Sequence, residues 1–79
     1  MLERLRGYVG ELRNGPRGRT APRVCVKDPA SPLNGRWFTV ASTHGGLELA
    51  KGLNVTFVIG TIDDENGQKV PRAVDVRLE

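Results

Sequence analysis

Three Asn-Gly pairs, Asn14-Gly15, Asn34-Gly35 and Asn66-Gly67, divide a chain of 79 residues into short segments. Asn and Gly both reach positive φ with little strain, which a tight reversal between strands demands. Each pair stands beside a run with strand character, and no long helical stretch intervenes. A chain turned back this often is expected to form a compact antiparallel β domain.

The runs between the turns support that expectation. Residues 5–13 contain a first strand, weakened or bent by Gly7 and Gly10. Residues 23–27 alternate, with Val24 and Val26 on one face and Arg23, Cys25 and Lys27 on the other. Residues 36–41, with Trp37, Phe38, Thr39 and Val40, form an aromatic and β-branched third strand. If Phe38 and Val40 face the core, Trp37 and Thr39 face out; the reverse register stays open. Residues 54–60 make a fourth strand. Residues 70–78 make a fifth, with Val74, Val76 and Leu78 on one face.

The connections carry turn chemistry. Residues 14–22 hold two Pro and two Gly without a large apolar side chain, so a flexible Arg/Gly/Pro loop is expected. Residues 28–35 form a Pro-containing connector, and 47–51 a single helical turn ended by Gly52. Residues 63–68 form a polar hairpin tip. Five short strands without a repeat predict one all-β domain over residues 1–79, a small five-stranded antiparallel barrel.

Composition narrows the function. One cysteine, Cys25, excludes an intrachain disulfide, and one Cys with one His cannot build a conventional structural zinc site. No apolar run approaches the ~20 residues of a membrane span, and residues 1–6 lack a signal peptide's apolar centre. A cytoplasmic protein is expected, and the sequon Asn54-Val55-Thr56 is read as chance. The net charge of +3 is one-sided. Residues 1–27 carry seven basic and two acidic residues, a net +5; residues 28–79 carry five basic and seven acidic, a net −2. Six of the first seven are arginine, whose planar fork suits phosphates and stacks on bases. An anionic partner such as nucleic acid fits that distribution; a solvated surface fits it as well.

The second half has a family likeness. Lys51-Gly52-Leu53-Asn54-Val55-Thr56-Phe57, a hairpin with Gly67, then Arg72-Ala73-Val74-Asp75-Val76 resembles the last two strands of a cold-shock domain. Arg6-Gly7-Tyr8-Val9 resembles its opening strand, and residues 36–40 its third. The resemblance implies a five-stranded OB-type barrel that binds single-stranded RNA or DNA. The family's two aromatic motifs are largely replaced, with Arg23 and Cys25 at exposed aromatic positions of the first. The second keeps Trp37 and has Thr39 in place of histidine. Base stacking contributes ~1–3 kcal/mol per base, so such a face relies more on charge and binds with strong salt dependence.

The expected function is nucleic-acid binding without catalysis and without a cofactor. Trp37 stacks, with Tyr8 and Thr39 beside it; Arg23, Arg36 and Lys27 hold phosphates; Arg17 and Arg19 form an arm in the 14–22 loop. The alternative is a protein-interaction module on the same barrel, taking an acidic partner or a second copy, with Trp37 as anchor. An SH3-like barrel is a third possibility, distinguished by how the strands connect. His44 precedes Gly45-Gly46, and a long-range triad would need partners this chain hardly has, so it reads as a loop residue. Asp63-Asp64-Glu65 lacks the ligand spacing of a calcium loop and reads as a solvated turn.

Overall fold

A computed structural model describes residues 4–10, 13–14 and 20–79, and of residues 13, 14, 20 and 21 the backbone only. Among the described residues seven strands follow one another: β1 (Leu5–Val9), β2 (Arg13–Asn14), β3 (Thr20–Ala21), β4 (Arg23–Val26), β5 (Trp37–Thr39), β6 (Asn54–Asp63) and β7 (Lys69–Leu78). Five form one antiparallel sheet in the order β5-β4-β1-β6-β7. The protein is thus all-β, and among the described residues its one helical element is a 3-10 turn at His44–Gly46. No helix among them is long and apolar enough to cross a membrane.

The sheet curls, and its two edges approach without closing into a continuous ladder. Past β5 the chain runs parallel to β7 through isolated bridges at Val40–Ala73 and Thr43–Val76. The Ala41 N–H donates to the Ala73 carbonyl at 2.8 Å and the Val76 N–H to that of Ser42 at 3.2 Å. The first long strand lies central, and the strand order returns on itself through a parallel contact. The result is a small β-rich fold, consistent with a five-stranded barrel that is left open at the seam.

The inner face is the core. Leu5, Val9, Val24, Val26, Phe38, Val55, Phe57, Ala73 and Val76 are buried against one another. Leu33, Val40, Leu49, Leu53 and Ile59 pack around them. Gly7 belongs to this inner face. A Cβ there would lie 2.1 Å from the Cys25 carbonyl oxygen and 2.9 Å from the Phe57 ring. Close strand approach and an aromatic ring, not a bend, therefore account for glycine in mid-strand.

Several expected features differ. The first strand ends at Val9, short of residue 13. The loop expected over 14–22 is partly ordered: Arg13 pairs with Ala21 and Asn14 with Thr20. Its centre, residues 15–19, lies outside the described residues. No helical turn forms at 47–51; the 3-10 turn comes earlier, and Gly52 takes φ 85°. β6 continues three residues beyond its predicted end, to Asp63.

The largest difference is in β7. Thr56 faces Arg77 and Val58 faces Val74, so Phe57 is opposed by two residues, Asp75 and Val76. This is a β-bulge, and Asp75 sits at φ 52° within it. The extra residue resets the alternation. Ala73 and Val76 face inward, and Leu78, predicted to share a face with Val74 and Val76, is 58% exposed.

The glycines of two Asn-Gly pairs do turn the chain. Gly35 and Gly67 take φ of 85° and 76°, whereas neither Asn34 nor Asn66 is left-handed. At the β6–β7 tip the Gly67 N–H donates to Asp64 O, and Asp64 N–H to Gln68 O. The loop is a three-residue one with glycine at its left-handed position. Asp64 uses its carboxylate to accept the N–H groups of Asn66 and Gln68, so this member of the acidic cluster serves the turn itself.

Candidate nucleic-acid interface

Register fixes what the outer face presents. Tyr8 pairs with Cys25, and Cys25 with Trp37, which sets these three side by side across β1, β4 and β5. Arg23 faces Thr39 one step along. Arg6 and Lys27 lie one step the other way, joined by a backbone hydrogen bond from Lys27 N–H to Arg6 O of 2.8 Å.

Trp37 is the centre of this face. It is 42% exposed, while its neighbour Phe38 is buried, so the outward register holds. The Tyr8 ring meets it edge-on, with centroids 5.8 Å apart and planes at 84°. The Arg23 guanidinium lies 5.8 Å from the Trp37 ring centroid. Gly10 makes room for the indole: a Cβ there would stand 2.3 Å from its Cζ3. The indole thus stands against Gly10, with the Tyr8 ring and the Arg23 guanidinium beside it.

Cys25 is buried yet stands outside the core cluster, because its neighbours Tyr8 and Trp37 cover the outer face. Its thiol donates to the Val26 carbonyl at 3.7 Å. The thiol also pushes the Tyr8 phenol above its ordinary pKa, by hydrogen bonding first, then by charge, with desolvation adding to both. Tyr8 therefore stays neutral well into the alkaline range.

A cleft of about 570 Å³ opens beside Trp37, lined by Arg23, Arg36, Thr39, Pro71 and Arg72 among others. It crosses the seam from β5 to β7. Among the described residues the arginines divide into two groups. Arg4 and Arg77 bind Asp75, each at 3.0 Å, and Arg6 binds Glu79 at 2.5 Å. Arg23, Arg36 and Arg72 have no acidic partner there, and all three line this cleft.

Of the expected site residues, Trp37, Arg23, Arg36 and Thr39 meet in one place, with Tyr8 against the indole. Lys27 is exposed on the same face but lines a neighbouring cleft with Arg6. Arg17 and Arg19 fall outside the described residues. Arg72 and Pro71 were not legible as site residues, because only the parallel seam brings β7 beside β5. Arg6 could have been found, being two residues from Tyr8 on one strand and so on the same face.

Elsewhere Asp75 organises a polar cluster. Arg77 and Arg4 hold its carboxylate, His44 Nδ1 lies 3.5 Å from Oδ1, and its N–H donates to Ser42 Oγ at 3.0 Å. Arg4 also donates to the Asp75 and Thr56 carbonyls, at 2.7 and 3.0 Å. The Arg77 hydrogen bond is the largest influence and lowers the Asp75 pKa; desolvation opposes it, and Arg4 lowers it further. Ser42 thus ties its loop to the bulge. Among the described residues no group of three His, Cys, Asp or Glu side chains is placed to hold a metal. No family model, curated protein or solved structure matches the chain at a significant level.

Proposed function

We propose that this chain binds single-stranded RNA or DNA on the outer face of β1, β4 and β5, as a divergent cold-shock-like module without catalytic activity. The observation that carries this reading is an exposed indole beside a cleft whose three arginines have no acidic partner among the described residues. A base stacks on Trp37, and Arg23, Arg36 and Arg72 take the adjoining phosphates. One stacking ring means that charge supplies much of the affinity, so binding weakens steeply with salt.

Trp37 is the chain's only tryptophan, which makes the test direct. Titrating octathymidylate or an octauridylate at low salt should quench its emission, and raising the salt should reverse the quenching. Trp37→Ala should weaken binding of an end-labelled octamer by about 5- to 150-fold, the equivalent of ~1–3 kcal/mol of stacking. No binding at low salt, or an unchanged affinity in the variant, would sink the reading.

A protein-interaction module on the same face is the second reading. Its support is that Tyr8 presents its edge to Trp37, leaving one aromatic anchor ringed by arginines. A partner captured from lysate that survives nuclease treatment would favour it.

A further inference from the structure

Next to the Tyr8–Cys25–Trp37 row lies a second cleft, of about 390 Å³, lined by Arg6, Gly7, Lys27, Pro29, Asn54 and Glu79. Its size falls in the ~300–1,000 Å³ range of small-ligand sites. Arg6 and Tyr8 are two residues apart on β1, so this cleft begins about 6.6 Å along the strand from the aromatic row, at ~3.3 Å per residue. It supplies two cations, and Lys27 has no acidic partner among the described residues. Arg6 is engaged, but by a carboxylate of the chain itself: its Nε lies 2.6 Å and its Nη2 2.5 Å from Glu79 Oε1. The Glu79 backbone is in turn tied to β6, its N–H donating to the Asn54 carbonyl at 3.2 Å.

One acidic side chain therefore sits where the face otherwise offers only cations and neutral groups. A carboxylate accepting from a guanidinium presents much the same chemistry as a phosphate oxygen. We propose that this cleft is a second phosphate subsite for the same single strand, and that Glu79 is its displaceable internal occupant. The inference rests on the nucleic-acid reading above and adds a regulatory contact to it. Arg6 is well exposed, so the ion pair is weak and a strand phosphate can exchange with it. Until that exchange occurs, Glu79 lowers affinity by occupying Arg6 and by placing negative charge on the strand's path.

The test is octathymidylate binding, read by Trp37 emission at low salt, in wild type, Glu79→Gln, Arg6→Gln/Glu79→Gln and Glu65→Gln. Glu65 lies at the exposed β6–β7 tip, so its substitution makes the same change in net charge away from the cleft. Thermal melts of each variant report that the fold is retained. Glu79→Gln should bind about two- to five-fold more tightly, the scale of an exposed charge pair. The gain should vanish in the double variant and be absent in Glu65→Gln. An unchanged affinity in Glu79→Gln, or an equal gain in Glu65→Gln, overturns the subsite while leaving the Trp37 reading intact. Absence of quenching in every protein overturns both.

Discussion

At the residue scale, two glycines three positions apart, one within β1 and one just past its end, do opposite jobs. Gly10 yields its outer side to the Trp37 indole. Gly10→Ala forces the ring off its seat, because a methyl 2.3 Å from Cζ3 cannot be accommodated in place. The expected result is a shift in Trp37 emission and a loss of about ten-fold in oligonucleotide affinity, within the range of one lost stacking contact. Gly7 yields its inner side to backbone. Its added methyl would meet the Cys25 carbonyl, which can move only with the sheet. Gly7→Ala should therefore destabilise the fold by about 1–3 kcal/mol or more in urea unfolding. From sequence both glycines read alike, as weak points in a strand. Which neighbour each one spares is a property of the packed sheet, and neither Trp37 nor Cys25 is near them in the chain.

At the scale of elements, β7 is where local pattern and structure part. Alternation along residues 70–78 places Val74, Val76 and Leu78 together, and it would hold in a regular strand. The bulge opposite Phe57 adds one residue, and every later side chain changes face. The sequence offers only a weak cue for this, because Asp visits left-handed backbone more than most residues but far less than glycine. What holds it there is tertiary: Arg4, Arg77, His44 and Ser42 converge on it from other segments and from β7 itself. The lowered Asp75 pKa gives the contact a pH signature. A carboxylate whose folded pKa lies below its unfolded value stabilises the fold above the unfolded value, near 3.9, and loses that contribution as pH falls through the folded one. Wild type should thus exceed Asp75→Asn in melting temperature by a constant margin above about pH 5. The margin should shrink steadily below about pH 4. A margin independent of pH down to acid would show that the carboxylate's charge is not what matters. By contrast, the places of β4, β5 and β6 were legible, since alternation and β-branched residues marked them, although β5 is half its expected length and β6 three residues longer. The β2–β3 ladder was not, because its residues show no apolar period.

At the scale of the whole molecule, a 79-residue chain has little stability to spare. At ~0.05–0.15 kcal/mol per residue the total is roughly 4–12 kcal/mol. Phe57 is fully buried and lies against the first strand, with Leu5 opposite it and Gly7 beneath its ring. Phe57→Ala should remove about 3–5 kcal/mol, a large share of that total, and lower the urea midpoint accordingly. The overall class followed from turns and alternation, whereas the register that turns Trp37 outward was left open and is decided by the burial of Phe38. The cleft did not, because it exists only where the curled sheet brings Arg72 round to Arg36. That closure rests on two isolated bridges in place of a continuous ladder. The amides of Ala41 and Val76 should accordingly exchange with deuterium sooner than those in the β1–β4 ladder, where opening demands that core contacts part. A strand of nucleic acid lying from Trp37 to Arg72 would span that same gap. Binding should then slow exchange on both of its banks, and the ligand would serve as the stitch that the protein's own backbone omits.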